Sequence, residues 1–260
     1  MFKTIRITRE DRGLARLELA RPAKHNALSA QMIAELTEAA QMLGADPQIR
    51  VVVLAAEGPS FCAGGDLGWM QEQMAADSAT RRSAARALAL MLKALNEIPK
   101  PLIGRVQGNA FGGGLGLISV CDIAFAAEEA RFGLTEVRLG LIPATIAPYV
   151  LARIGAGQAR RMFFSGQIFG APEAVRLGLL AEALPARDLD TAVETEVERY
   201  LHCAPAAVAA AKRLCHRLGA QIDAAVIEQT VEDLVAVWDG DEAQAGLAAF
   251  FGKRPPPWQS

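Results

Sequence analysis

Glu136 is the residue in this chain whose surroundings best suit proton transfer. It lies between Phe132-Gly133-Leu134-Thr135 and Val137-Arg138-Leu139-Gly140-Leu141-Ile142-Pro143, a mostly apolar stretch. A carboxyl in such a setting is desolvated, its pKa rises, and a group poised near neutrality can both take and give a proton. The plain alternative is a structural carboxylate paired with Arg131 or Arg138. Two glycine-rich segments offer a complementary chemistry. Gly112-Gly113-Gly114 follows one apolar run and opens a helical pattern, and Ala63-Gly64-Gly65-Asp66-Leu67 follows another. Helix starts leave backbone N–H groups unpaired, and glycine lets another molecule approach the backbone closely. Two such turns can aim two N–H groups at one oxygen, the geometry of an oxyanion hole. Alone, Gly112-Gly113-Gly114 reads as a glycine patch for tight helix packing, and the Ala63–Leu67 loop as an ordinary turn. Gly112-Gly113-Gly114 has the spacing of neither a dinucleotide-binding loop nor a P-loop.

Those residues need a scaffold, and its pieces are visible. Ile5 and Ile7 alternate with polar residues in Lys3–Thr8, and Leu14–Leu19 repeats the pattern after the turn Asp11-Arg12-Gly13, as expected of a hairpin. Ser29 suits the N-cap of a helix over 30–43, with Ile33, Leu36, Ala40 and Leu43 on one face and Gly44 at its end. Arg50–Ala55, Leu102–Val106 and Ile123–Ala126 read as buried strands. The Ala-rich stretch from Leu67 to Asn96 reads as one long helix stopped by Pro99 and Pro101. Residues 162–164 and 171–178 read as short helices, and 189–251 as almost wholly helical. Alternating strands and helices predict an α/β core with a mostly parallel sheet. We divide the chain into a core over residues 1–195 and a helical region over 196–260, which either caps the core or packs on another subunit.

Composition narrows the class. The 260 residues carry 27 Lys and Arg against 29 Asp and Glu, a net charge of -2, so no basic nucleic-acid surface is expected. The longest apolar run, Leu115–Ala127, is interrupted by Ser119 and Asp122 and is too short to span a bilayer. The first residues lack the apolar core of a signal peptide. The four cysteines show no CxxC spacing, and reduced thiols in a cytoplasmic protein are the plain reading. No cluster has metal-ligand spacing, and His202 and His216 read as surface residues. Trp69, Met70 and Met74, at helical spacing after the first glycine turn, read either as core or as the wall of a pocket.

Taken in order, the motifs resemble the crotonase, or enoyl-CoA hydratase/isomerase, superfamily. The likeness runs through Arg21-Pro22…Asn26-Ala27-Leu28, Ala63-Gly64-Gly65-Asp66-Leu67, Gly112-Gly113-Gly114, Cys121-Asp122, Phe132-Gly133…Glu136 and Phe250-Phe251-Gly252-Lys253-Arg254. It implies an α/β spiral of repeated ββα units with a C-terminal helical region that builds a homotrimer or a dimer of trimers. The implied substrate is an acyl-CoA, with CoA part of the substrate, no separate cofactor and no metal. Gly65 and Gly113 map to the two donors of the oxyanion hole, and Glu136 to a catalytic acid/base. Lys24, His25, Ala27, Ala63, Gly64, Asp66, Leu67, Trp69, Gly112, Arg138, Pro143, Phe250 and Lys253 map to substrate contacts, with Lys253 expected at the CoA phosphates.

One departure stands out. Two-glutamate hydratases of this superfamily carry a second carboxylate where this chain has Gly116; its isomerases keep only the equivalent of Glu136. The stretch Gly133–Thr145 is most similar to bacterial hydratases of branched glutaconyl-CoA esters, 3-methylglutaconyl-CoA hydratase of leucine breakdown among them. Such a substrate has a distal carboxylate, for which Arg138 is the candidate partner if its segment is extended, with Arg81 and Arg82 as alternatives.

Overall fold

The computed structural model describes residues 2–259. The hairpin forms as expected: β1 (Ile5–Glu10) pairs antiparallel with β2 (Leu14–Leu19). Parallel strands β3 (Val51–Ala56), β5 (Leu102–Val106), β7 (Ile123–Ala127) and β10 (Glu182–Leu184) extend it into a sheet ordered β1-β2-β3-β5-β7-β10. A second sheet, ordered β4-β6-β8-β9, is built from β4 (Ser60–Cys62), β6 (Asn109–Phe111), β8 (Arg131–Gly133) and β9 (Ile168–Gly170). The chain lays one strand in each sheet and then turns into helix. β3 and β4 lead to α2 (Leu67–Ala75), and β5 and β6 lead to α4 (Gly113–Ser119). β7 and β8 lead through a 3-10 turn, Glu136–Leu139, to α5 (Ala147–Ser165). This is the expected spiral of ββα units, and it stacks the ends of β4, β6 and β8 beside one another.

Three expectations are corrected. The long helix over 67–96 is two helices, α2 and α3 (Ser78–Asn96), because Asp77 turns extended and its Oδ1 accepts the Thr80 N–H at 2.8 Å, capping a new helix. The short helix at 162–164 is the end of α5, which bends at Gly155 with φ 76°. The short helix over 171–178 closes at Arg176 as α6 (Ala171–Arg176).

Helix α1 (Ala30–Ala45) buries Met32, Ile33, Leu36, Ala40 and Leu43 in the main core. The other face of the large sheet is covered by α7 (Leu189–Leu201), which runs continuously through residues 195 and 196 and sets Leu189, Val193 and Val197 against Val51, Val53, Ile103 and Phe125. After α8 (Pro205–Leu218) come α9 (Ala224–Trp238) and α10 (Asp241–Phe251). Ile227 and Val231 of α9 pack on Ala85 and Ala89 of α3, and two Arg–Glu pairs, Arg82–Glu232 and Arg86–Glu228, flank the seam. Helix α10 presses on the Glu136 turn closely enough that a Cβ on Gly246 would lie 2.3 Å from the Leu139 carbonyl oxygen. Helices α9 and α10 therefore cap the core of their own chain. Among the described residues no helix is long and apolar enough to cross a membrane.

Candidate active site

The first glycine turn is fixed by a polar web that grows from the early loop. Asn26 is fully buried with φ 52°; its Oδ1 accepts the Arg21 N–H at 2.8 Å, and its Nδ2 donates to the Glu57 and Ser60 carbonyls at 2.8 and 2.9 Å. Arg21 donates through Nη1 to the Ala27 carbonyl at 2.8 Å and through Nη2 to Asp66 Oδ2 at 2.9 Å. The other Asp66 oxygen caps α2, accepting from the Gly68 and Trp69 N–H groups at 2.9 and 3.2 Å. Leu28 clips the turn from the opposite side: its N–H donates to Gly64, and its carbonyl accepts from Asp66.

The second turn lies directly against the first. Gly64 has φ 95°, and a Cβ there would sit 3.2 Å from the Phe111 carbonyl oxygen. Gly112 has φ 49°, and a Cβ there would sit 2.9 Å from Glu136 Oε1. Only glycine meets both the backbone angle and the space. Gly113 follows as the first residue of α4, covered by the Leu28 side chain. Among the described residues, neither the Gly65 N–H nor the Gly113 N–H finds an acceptor. Both glycines line one cavity with Leu28 and Glu136.

Glu136 begins the 3-10 turn after β8. Its Oε2 is shut off from solvent and has no hydrogen-bond partner among the described residues. Burial pushes its carboxyl up from the usual 4.5 to about 7. The alternative of an ion pair with Arg131 or Arg138 is therefore excluded. The turn also corrects the premise for Arg138. Residues 136–139 are not extended, so Arg138 does not follow Glu136 onto one face, and its side chain lies against Gly166.

Two cavities meet at this point. One, of about 130 Å³, is walled by Trp69, Leu88, Ile142, Pro143, Ile146 and Leu234. The other, of about 420 Å³, is lined by Ala63, Gly64, Leu67, Phe111, Gly112, Arg138, Phe250 and Arg254. Gly65, Met70, Glu136 and Leu141 line both and mark the junction. Asp66 and Ala27 act as ties beneath the turn. Lys24 and His25 are exposed and line neither cavity; His25 Nδ1 lies 3.0 Å from Ser60 Oγ. Lys253 is also exposed and lines neither, whereas its neighbour Arg254 lines the larger.

The site holds one carboxyl because α4 is packed at the other position. A Cβ on Gly116 would lie 2.7 Å from Ile146 Cγ2 and 3.4 Å from Leu92 Cδ1, so apolar side chains fill the space. Sequence reading missed the structural roles of Arg21, Asn26 and Leu28, and the approach of Leu234, Val235 and Trp238 from α9. The buried polar Asn26 beside Arg21 was a usable signal; no local pattern marks the residues of α9.

A carboxyl near neutrality, two free N–H donors and an apolar wall form a site for moving a proton beside a carbonyl whose oxygen gains charge. Comparisons with known proteins show the family. A family model described as Enoyl-CoA hydratase/isomerase matches residues 9–260. The 2,3-dehydroadipyl-CoA hydratase of Escherichia coli K12 is 34% identical over 258 residues, covering 97% of each chain. The crystal structure of an enoyl-CoA hydratase from Shewanella pealeana superposes with a TM-score of 0.82 at 38% identity, covering 99% of this chain and 96% of that one. One from Mycobacterium avium gives 0.85 at 32% identity, covering 99% and 100%. The chain belongs to the enoyl-CoA hydratase/isomerase family, within the crotonase superfamily.

Proposed function

We propose that this protein is an enoyl-CoA hydratase that adds water across the 2,3-double bond of an acyl-CoA thioester. The thioester oxygen sits between the Gly65 and Gly113 N–H groups, the acyl chain enters the apolar cavity, and the CoA arm lies in the larger one. The Glu136 carboxylate takes a proton from water as the water oxygen bonds to C3. The electron pair of the double bond moves onto the thioester as an enolate, whose oxygen is held by the two N–H donors. Glu136 then returns the proton to C2. Each backbone donor is worth about 10²–10³ in rate in comparable sites, and the general acid/base about 10²–10⁴. Neither step calls on a metal or a redox cofactor.

The observation that carries this reading is the Glu136 carboxyl, whose Oε2 is shut off from solvent and has no hydrogen-bond partner among the described residues, beside two unpaired backbone donors. A branched ester of the 3-methylglutaconyl-CoA kind is the substrate we favour, in keeping with the Gly133–Thr145 stretch. Assembly as a homotrimer or dimer of trimers is part of the same reading.

Double-bond migration is a second reading, favoured by the apolar packing of Ile146 over Gly116, which leaves no second carboxylate to hold a water. In that reaction Glu136 alone carries the proton between C4 and C2. Incubation with 2-enoyl-CoA and 3-enoyl-CoA esters in ¹⁸O-labelled water separates the two. Hydration places ¹⁸O in a 3-hydroxyacyl product; migration interconverts the esters without ¹⁸O. No conversion of any ester, with binding retained, would leave a non-catalytic acyl-CoA-binding protein.

A further inference from the structure

The apolar cavity has one polar end. Gln73 of α2, Arg81 of α3 and Trp238 of α9 line it, and none of them reaches the larger cavity. They are held together. Arg81 Nη1 donates to the Gln73 carbonyl at 3.0 Å and to the Ala76 carbonyl, and Nη2 donates to Asp239, the residue after Trp238. Asp239 in turn accepts from Ser78 Oγ at 2.7 Å. Three polar atoms remain unused. Arg81 Nε, Trp238 Nε1 and Gln73 Oε1 are each shut off from solvent with no hydrogen-bond partner among the described residues. Buried polar groups are nearly always paired, so three unpaired ones on residues of one cavity wall call for a partner, which a bound ligand can supply. Arg82 is spent on Glu232 at the surface, and Arg138 lines the other cavity.

We infer that Arg81 Nε–H and Trp238 Nε1–H bind an oxygen at the far end of the acyl chain. The enzyme thereby selects acyl-CoA esters ending in a carboxylate or an ester carbonyl over esters ending in methyl. This inference rests on the acyl-CoA reading above and extends it to the residues that set acyl specificity. The guanidinium charge is already met by Asp239, so the two N–H groups act as donors, which a neutral carbonyl satisfies as well as a carboxylate. A methyl terminus leaves both donors buried and unpaired, a loss that binding has to absorb.

The test uses saturated esters, which bind without reacting. Calorimetry compares adipyl-CoA, its terminal methyl ester and hexanoyl-CoA, together with the five-carbon set of glutaryl-CoA, its methyl ester and pentanoyl-CoA. At one length or both, an oxygen-ended ester is expected to bind at least about tenfold more tightly than the methyl-ended one, the scale of one buried donor left unpaired. Which oxygen-ended ester wins tells carboxylate from carbonyl. Trp238→Phe, which keeps the aromatic wall and removes the N–H, is expected to bring that ratio toward one, and Arg81→Lys likewise. Ratios within about twofold at both lengths, or a preference for methyl, would overturn the inference while leaving the acyl-CoA reading intact. So would ratios unchanged in both variants. Failure to bind any of the esters would overturn both.

Discussion

Replacing Glu136 with Gln is expected to make the protein more stable at alkaline pH. The carboxyl is held at about 7 in the fold against an ordinary 4.5, a difference of about 2.5 units. At about 1.36 kcal/mol per unit, the folded state disfavours the ionised form by about 3 kcal/mol. The sign follows from proton counting. Between about pH 4.5 and 7 the folded protein holds a proton at Glu136 that the unfolded chain has released, so this group's contribution falls as pH rises through that window. Below the window it adds no penalty; above it the penalty is complete. Gln carries no ionisable proton, so the wild type and Glu136→Gln should be similar near pH 4.5 and diverge above it, the variant leading by up to about 3 kcal/mol near pH 8. The other carboxylates, many held below their usual range by arginines, are common to both proteins and cancel in the difference. Urea unfolding at a series of pH values gives the two curves. Parallel curves across the series would show that Glu136 is neither buried nor raised in solution.

Three further outcomes follow from the same geometry. The kcat/KM for hydration should fall with unit slope as pH drops below about 7, because water activation requires the Glu136 carboxylate; a profile flat down to pH about 5 would assign the proton elsewhere. Gly112→Ala places a methyl 2.9 Å from Glu136 Oε1 at a residue with φ 49°, so it should lower kcat at least about tenfold with little change in ester affinity, and wild-type kinetics would refute that contact. Gly113→Pro removes one of the two donors at the first position of a helix but also adds a Cβ that would lie 2.6 Å from Leu28 Cδ1, so Gly113→Ala, which adds the Cβ and keeps the N–H, is the control; a folded proline variant should lose about 10²–10³ in kcat relative to the alanine variant, and equal turnover of the two would place the donor elsewhere.

The site was more legible in the sequence than the framework around it, and the reasons are physical. Gly65, Gly113 and Glu136 stand in short local contexts: a glycine where the backbone must come close, a carboxyl among apolar neighbours. Such features survive in a linear reading. Strands β4, β6, β8 and β9 did not, because three residues are too few to show alternation. The break before α3 was signalled by Asp77 three residues ahead of Thr80, but the surrounding alanines continue a helical pattern and hide it. Arg138 was aligned with Glu136 on the assumption of an extended segment; the 3-10 turn overturns that, and the left-handed Gly140 closing it was the clue. The meeting of Arg81 with Trp238 depends on α9 folding back over α3, a tertiary contact with no local pattern. Lys253 and Arg254 look alike in sequence, and only the path of the chain after α10 distinguishes which one faces the larger cavity.

The central claim is that Glu136 carries the proton while other groups hold the ester. The direct measurement is single-turnover hydration of a 2-enoyl-CoA ester by wild type and Glu136→Gln, alongside calorimetric affinity for the matching saturated ester. The variant should lose about 10²–10⁴ in rate while its affinity stays within a few-fold, since the Gly65 and Gly113 N–H groups and both cavity walls are untouched. A variant that keeps more than about a tenth of the wild-type rate, or that loses binding and rate together, would contradict the account.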